Sequence, residues 1–217
     1  MPKDRHLYMS NARRSFLKNT MCGVAGAGLF LNVNRSALAQ INQSPPGSFF
    51  HLLNGKDLSA WNQLGNANWQ IFNYETVVSQ GSGFLVSRAT FKDFVIKAEY
   101  WLDEQANACI YVRCQNPDQI SSRNAYQINL TNQNFQQGYG IGSVNNLAQA
   151  LVPPKAVDGW NSITVKGLAD SLTVTINGKE LISSFRDVRF ASGVIAIGYQ
   201  AGTLKFRSFD GNIPGVW

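Results

Sequence analysis

From Trp69 onward, hydrophobic and polar residues alternate with a period of two, and Gly, Asn or Asp separates the alternating runs. This alternation is typical of β-strands with one buried face, and no window of a dozen residues holds the 3.6-residue period of a helix. The pattern predicts twelve strands, at residues 69–72, 76–79, 84–87, 94–102, 109–115, 125–131, 138–142, 162–166, 172–176, 179–183, 193–198 and 203–209. Twelve strands are more than one open sheet usually holds. We therefore predict an all-β fold, a two-sheet antiparallel β-sandwich.

The clearest turn in the sequence joins the predicted strands 172–176 and 179–183. Its central residues are Asn177 and Gly178. Both residue types accept a positive φ, which a type I′ turn requires at both central positions. The sequence therefore predicts a tight hairpin here.

Three consecutive predicted strands, 94–102, 109–115 and 125–131, combine an apolar face with a polar and aromatic one. The apolar positions predict the core: Phe94, Ile96, Ala98, Tyr100, Leu102, Ile110, Val112, Cys114, Tyr126, Ile128 and Leu130. If the strands are neighbours, the opposite positions share one surface: Lys97, Glu99, Trp101, Tyr111, Arg113, Gln127 and Asn129. Planar rings, amides and charged groups are what a sugar site uses. The alternative interpretation is the ordinary solvated side of an antiparallel sheet.

The first 39 residues predict an export signal rather than part of the folded domain. Arg13-Arg14-Ser15-Phe16-Leu17-Lys18 precedes a weakly apolar run at 21–33 and a small-residue cleavage motif, Ala37-Leu38-Ala39. A run of about 13 residues is too short to span a bilayer, so we predict no membrane span in the mature form. The predicted organisation is a twin-arginine signal at 1–39, a flexible leader at 40–47 and the β-sandwich domain at 48–217. The domain is expected in the bacterial periplasm or outside the cell.

Composition and charge narrow the possible partners. The chain has 217 residues, 44% hydrophobic, which is enough for one domain with its own core. Loss of the signal removes six cations and one acid, so the net charge falls from +6 to about +1. The removed cations are Lys3, Arg5, Arg13, Arg14, Lys18 and Arg35, and the acid is Asp4. The basic character belongs mostly to the signal, and nucleic acid is not an expected partner.

Two cysteines, Cys109 and Cys114, lie five residues apart on one predicted strand. Their Cα atoms are therefore about 16 Å apart, beyond the reach of a disulfide, and the alternation places them on opposite faces. We expect Cys114 to pack in the core and Cys109 to lie on the outward face. A reactive thiol at Cys109 remains an alternative.

Seven segments, in their order and spacing, resemble the 3-keto-disaccharide hydrolase family, long listed as a domain of unknown function. They are "FHLLNGKDLSAWN" (50–62), "FKDFVIKAEYWL" (91–102), "NACIYVR" (107–113), "AYQINL" (125–130), "GWNSITVKG" (159–167), "TINGKEL" (175–181) and "GVIAIGYQAGTLKFRSF" (193–209). The resemblance implies a concanavalin-like jelly roll with a sugar-binding face. It also implies activity on glycosides already oxidised at C3, so an oligosaccharide or 3-keto-glycoside is the expected partner.

Carried over position by position, the resemblance gives site residues. Glu99 stands where the family carries its acid, Arg113 matches a motif arginine, Gln127 replaces a common Glu, and Gln200 matches a Gln. The histidine that usually follows that Gln is absent, because Ala201 comes next. The candidate catalytic residues are Glu99, Arg113 and Lys97. The candidate substrate-binding residues are Trp101, Tyr111, Gln127, Asn129 and Gln200.

A 3-keto sugar needs less machinery than an ordinary glycoside, because its ketone acidifies the proton at C2. One base removes that proton, a cation stabilises the enolate, the C1 substituent leaves, and water then adds. Glu99 with Lys97 or Arg113 could supply these groups. The rival interpretation is a lectin-like carbohydrate-binding module without catalysis, since Gln127 and the missing histidine remove two reactive groups. A structural or subunit role is a third interpretation.

Other chemistries fit the residues poorly. Ordinary glycoside hydrolysis needs two carboxyls about 5 to 10 Å apart. The nearest same-face pair, Glu99 and Asp103, is about 13 Å apart along one strand. His51 is the single histidine after the signal, which disfavours a Ser-His-Asp triad and a zinc site. We predict no cofactor and no metal ligands, although Ca²⁺ held by backbone carbonyls leaves almost no sequence signature and stays open.

Overall fold

The computed structural model describes residues 49–131, 139–151 and 159–212. The predicted signal at 1–39 and leader at 40–47 lie outside the described residues. Within those residues, no helix is long and apolar enough to cross a membrane.

The described residues form thirteen β-strands. They are β1 (Phe49–Leu53), β2 (Trp61–Gly65), β3 (Gln70–Phe72), β4 (Glu75–Val78), β5 (Gly83–Phe91), β6 (Phe94–Leu102), β7 (Asn107–Cys114), β8 (Tyr126–Asn129), β9 (Trp160–Leu168), β10 (Ser171–Ile176), β11 (Lys179–Arg186), β12 (Gly193–Ala201) and β13 (Leu204–Asn212).

The strands make two antiparallel sheets. Sheet A has the order β11-β10-β9-β6-β13-β4-β3, and β1 also pairs with β13. Sheet B has the order β2-β5-β12-β7-β8. Beyond β8, the segment at 142–145 continues sheet B irregularly: Asn129 N donates to Ser143 O, and Gly142 N donates to Asn129 O. The predicted two-sheet β-sandwich is confirmed.

The main core lies between the sheets, because its cluster draws alternate side chains from both. Phe94, Ile96 and Tyr100 of β6 meet Ile110 and Val112 of β7 there. A second, smaller cluster contains residues of sheet B and its loops alone: Val86, Cys109, Tyr111, Cys114, Ala125, Val194 and Ala196, with Leu64, Phe84 and Ile120 against it. It therefore lies on the outward face of sheet B, and we call that face the sheet B surface.

Eleven of the twelve predicted strands have counterparts in the structure, and the Asn177-Gly178 hairpin is confirmed with φ of 51° and 75°. The strand predicted at 138–142 is wrong over its described part, because Gly142 takes a φ of 77° and residues 139–142 run as coil and turn. A Cβ at Gly142 would collide with Leu181, so the glycine lets this segment pack closely. Strands β1 and β2 were not predicted. Edge strand β2 has an exposed polar residue on each face, Asn62 on one and Gln63 on the other, which obscures the alternation.

A β-bulge interrupts strand β7 at Arg113. Tyr111 pairs with Ala196 and Cys114 with Val194, so two β7 residues oppose the single residue Ile195. Arg113 carries the bulge with a φ of 54°. The extra residue reverses the alternation after it, and Cys114 joins the sheet B surface instead of the core. The prediction that the two cysteines lie on opposite faces is therefore wrong, whereas both are free thiols as expected.

Candidate functional site

The predicted polar surface is divided between the two sheets. Strand β6 lies in sheet A between β9 and β13, whereas β7 and β8 are neighbours in sheet B. The premise that all three strands are neighbours is wrong, because residues 103–106 carry the chain from one sheet to the other. Lys97, Glu99 and Trp101 therefore face outward from sheet A, away from Tyr111 and Gln127.

Arg113 lies inside the protein instead of on a binding surface. It is 1% exposed, and its Nε donates to Lys92 O at 2.9 Å. Its Nη1 reaches Phe190 O at 3.5 Å, and its Nη2 lies 3.5 Å from a carboxylate oxygen of Asp93. Burial lowers the pKa of Arg113, and the carboxylate of Asp93 acts in the opposite direction. The guanidinium thus joins the turn after β5 to the loop before β12.

The outward face of sheet A, which we call the sheet A surface, carries long charged side chains and two half-buried indoles. Trp101 and Trp160 are directly opposite each other on β6 and β9. The Lys205 ammonium lies 5.0 Å from the Trp101 ring centroid, and the Arg207 guanidinium lies 3.8 Å from that of Trp160. Arg207 also pairs with Glu75 at 3.5 Å. The cations thus cover the rings with their own side chains.

Glu99 and Lys97 stand on the same sheet A surface and are exposed. Glu99 lies opposite Ser162 on one side and Ser208 on the other. Lys97 lies opposite Asp210, which binds His51 Nδ1 at 2.6 Å. An exposed carboxylate between two serines has the solvated setting expected of an ordinary sheet side chain.

The sheet B surface is built around an aromatic pair. Gly198 of β12 lies between Phe84 of β5 and Cys109 of β7 in the sheet register. The rings of Phe84 and Tyr111 meet above it in an edge-to-face arrangement, with centroids 5.8 Å apart. A Cβ on Gly198 would lie 2.9 Å from the Tyr111 ring and 3.1 Å from the Phe84 ring. The missing side chain is what lets the two rings close over the strand.

A hydrogen-bonded row of amides borders this aromatic pair. Asn129 Nδ2 donates to Tyr139 O at 2.7 Å, and Gln127 Nε2 donates to Asn129 Oδ1 at 3.2 Å. Gln127 Oε1 accepts from Asn145 Nδ2 at 3.3 Å. These groups are neutral, and Gln127 and Asn129 each keep one orientation, because both are held at their nitrogen and at their oxygen.

The thiol of Cys109 connects the amide row to the aromatic pair. Gln127 Nε2 donates to Cys109 Sγ at 3.5 Å, and Cys109 Sγ donates to Tyr111 Oη at 3.6 Å. Burial raises the pKa of Cys109 to about 11 and moves the pKa of Tyr111 well above its ordinary value. Both groups therefore stay protonated at neutral pH, so each keeps a proton that it can donate.

A second amide pair lies at the β12 end of the same surface. Gln200, two residues beyond Gly198, accepts from Asn107 Nδ2 at 2.9 Å. Gln200 is exposed, whereas Asn107 is buried. Of the eight residues predicted for the site, the sheet B surface brings together Tyr111, Gln127, Asn129 and Gln200.

Sequence reasoning missed the partners that complete this surface, which are Phe84, Gly198, Asn107 and Asn145. One signal could have found Gly198: a glycine inside a predicted strand often marks a close approach of another group. No signal in the sequence gives the strand order that places Phe84 beside Gly198. In the described part of the chain, no three His, Cys, Asp or Glu side chains gather as metal ligands.

Comparisons with known proteins agree with this architecture. The model of the 3-keto-alpha-glucoside-1,2-lyase-like domain matches residues 48–210. A candidate glycosyl hydrolase from Parabacteroides distasonis has a similar structure, with a TM-score of 0.67 and 15% identity over 77% of this chain and 95% of that chain.

Two further structures share the fold at low identity. The carbohydrate-binding module CBM66 from Bacillus subtilis gives a TM-score of 0.55 and 18% identity, covering 70% of this chain and 95% of that chain. The β-glucanase of Bacillus licheniformis gives a TM-score of 0.55 and 10% identity, covering 80% of this chain and 100% of that chain. No curated protein matches the sequence. Because the family model spans most of the chain and confirms the resemblance seen in its motifs, the protein belongs to the family of 3-keto-α-glucoside-1,2-lyase-like domains.

Proposed function

We propose that the protein binds carbohydrate on the sheet B surface. The observation that carries the proposal is the ring pair of Phe84 and Tyr111 above Gly198, bordered by oriented amides. Aromatic rings pack against the apolar faces of pyranoses, and amides bind their hydroxyls. This is the combination a sugar site needs, and it occurs on the sheet B surface, where four predicted site residues meet.

The chemistry of this surface favours a neutral sugar. The polar groups that border the aromatic pair are amides, a phenol and a thiol, all of which are uncharged at neutral pH. Neutral donors and acceptors pair with hydroxyls without the desolvation cost of burying a charge. A uronic acid or a sugar phosphate would bring a negative charge to the aromatic pair and the amide row, whose described hydrogen bonds involve no cation.

Calorimetric titration of the mature domain tests this proposal directly. The probes are trehalose, sucrose, maltose and cellobiose, the 3-keto form of an α-glucoside, and glucuronic acid as the charged comparison. The proposal expects saturable binding of at least one neutral sugar and none of glucuronic acid. Binding of none of the neutral sugars, with the protein folded, would exclude it. Titration in EDTA and again with added Ca²⁺ decides whether calcium takes part.

A second candidate function is cleavage of 3-keto-glycosides, which the family match favours. The reaction needs a base at the C2 proton. The two thiols and the phenol of the sheet B surface, Cys109, Cys114 and Tyr111, hold their protons at neutral pH, because burial raises the pKa of each. Glu99 stands on the other sheet. Binding of the 3-keto sugar without turnover is therefore the expected result.

A chromogenic substrate separates the two functions. A 4-nitrophenyl 3-keto-α-glucoside releases 4-nitrophenol if the C1 substituent leaves, and absorbance follows it directly. Release that depends on enzyme concentration and is lost in the Tyr111→Phe or Gln127→Ala variant would establish catalysis on the sheet B surface.

We also propose export of the protein by the twin-arginine route, on the strength of the motif at Arg13 and Arg14. This route carries folded proteins, which suits a domain whose two thiols are buried and free. Fractionation of cells that produce the full chain tests it: the mature form should reach the periplasm or the medium. Replacing Arg13 and Arg14 by Lys should retain it inside the cell.

A further inference from the structure

The amide row has a direction that follows from one backbone atom. Tyr139 O is a carbonyl and can only accept, so Asn129 must turn its Nδ2 toward it. Asn129 Oδ1 then faces Gln127, which must donate with Nε2. Gln127 Oε1 is left to accept from Asn145 Nδ2. The carbonyl at one end therefore sets the orientation of three successive side-chain amides.

This direction requires a hydrogen-bond donor at position 127, which an amide supplies at neutral pH and a carboxylate does not. A glutamate there would bring a carboxylate oxygen against Asn129 Oδ1, and neither atom has a proton to share. Turning Asn129 would relieve that contact but would leave Tyr139 O without its donor. The resemblance to the family places Gln127 at a position where a Glu is common, and the surrounding groups fit the amide.

The same donor amide continues the network to the aromatic pair. Gln127 Nε2 also donates to Cys109 Sγ, and Cys109 Sγ donates to Tyr111 Oη. The Tyr111 hydroxyl already accepts, and among the residues that the structure describes no acceptor receives its proton. Tyr111 is 7% exposed, so this donor is nearly buried at the floor of the surface.

We propose that Gln127 and Cys109 are positioning residues that hold the Tyr111 hydroxyl as a fixed hydrogen-bond donor for an acceptor oxygen of the bound sugar. The inference rests on the proposed carbohydrate binding and adds its specificity determinant. The acceptor is a carbonyl, ring or hydroxyl oxygen of a neutral saccharide. A buried donor without an internal acceptor gains most from a ligand that supplies one, because its desolvation is otherwise uncompensated.

The first test removes one oxygen atom and nothing else. Tyr111→Phe keeps the ring pair with Phe84, and we expect its affinity for the best-binding sugar of the panel to fall about tenfold, as for one lost hydrogen bond. Tyr74→Phe is the matched control, because Tyr74 is 79% exposed on the turn after β3, and its affinity should not change. Equal affinities for the two variants would overturn the inference while leaving sugar binding intact.

The second test addresses positioning by Cys109. Serine can both accept and donate at this position, whereas alanine can do neither, so Cys109→Ser should retain affinity within about threefold and Cys109→Ala should approach Tyr111→Phe. If Ser and Ala lose affinity equally, the thiol fills space and does not orient Tyr111. Failure of the unchanged protein to bind any sugar of the panel overturns both the proposed function and this inference.

The third test examines the direction of the network without any ligand. In Gln127→Glu, burial beside an acceptor raises the folded-state pKa of the new carboxyl above its unfolded value of about 4.3. The protonated carboxyl can donate to Asn129, so the variant should be closest to the original protein below pH 4. Its deficit in melting temperature should grow as pH rises toward 7. A deficit independent of pH would contradict the forced direction.

Discussion

The two outward faces of this sandwich use different chemistries at positions that the same alternation defines. The sheet A surface carries exposed carboxylates and cations, with Lys205 and Arg207 lying on Trp101 and Trp160. The sheet B surface carries an aromatic pair, small residues and amides that bind one another, nearly all buried. Exposed charges cost the folded protein little free energy, because solvent screens them. Burying a polar group costs free energy unless it is hydrogen-bonded, so the sheet B surface, whose amides bind one another, is the more specific of the two.

The largest effect on stability is expected at Arg113, which lies on neither outward face. Arg113→Ala removes the guanidinium from Lys92 O and Phe190 O and leaves those carbonyls without this donor. We expect the free energy of unfolding to fall by about 3 to 5 kcal/mol, as when one partner of a buried charged network is removed. Urea denaturation followed by tryptophan fluorescence measures it.

Arg123→Ala is the control for that experiment, because Arg123 is exposed and its loss should change stability by no more than about 0.5 kcal/mol. If Arg113→Ala is as stable as this control and loses sugar binding or turnover, Arg113 acts in function and not in the frame of the fold.

The next effect concerns the glycine under the aromatic pair. Gly198→Val places methyl groups where the Tyr111 and Phe84 rings lie, so the rings must separate. We expect at least a tenfold loss of sugar affinity with a stability cost of about 1 to 3 kcal/mol, typical of overpacking. Ala201→Val, at the exposed end of the same strand, should change neither quantity appreciably. Unchanged affinity in Gly198→Val would show that the ring pair does not bind the sugar.

The smallest effect is expected on the sheet A surface. Glu99→Gln removes a charge from an exposed site between two serines, and we expect affinity and stability to change by less than about 0.5 kcal/mol. Lys97→Met should change affinity and stability equally little. If Glu99→Gln loses 3-keto-glucoside cleavage, measured by nitrophenol release, the functional site lies on the sheet A surface and not on the sheet B surface.

Local pattern predicted much of the fold because strand faces depend on near neighbours. The alternation in strands β6 and β8 placed Phe94, Ile96, Tyr126 and Ile128 in the core correctly. The Asn177-Gly178 turn followed from the backbone freedom of two residues. The sheet to which a strand belongs depends instead on long-range pairing. The sequence of the turn after β6 contains no signal that the chain passes from one sheet to the other. The grouping of Glu99 with Arg113 failed for that reason.

The bulge at Arg113 shows a second limit. One extra residue in strand β7 reverses every face assignment after it, so Cys114 moved from the expected core to the sheet B surface. Half of the candidate site was accessible from sequence, since Tyr111, Gln127, Asn129 and Gln200 do gather there. Phe84 and Gly198 were not, because their contact depends on the order β5-β12-β7 within the sheet.

The most direct test of carbohydrate binding on sheet B is a paired titration of the Phe84→Ala and Trp101→Ala variants. Each variant removes one large ring from one outward face, and calorimetry with the sugar that the unchanged protein binds best compares their dissociation constants. We expect Phe84→Ala to weaken binding at least tenfold and Trp101→Ala to stay within about twofold, because burying an aromatic ring against the sugar contributes roughly 1.5 to 3 kcal/mol. The reverse order, with Trp101→Ala losing affinity and Phe84→Ala retaining it, would contradict the account.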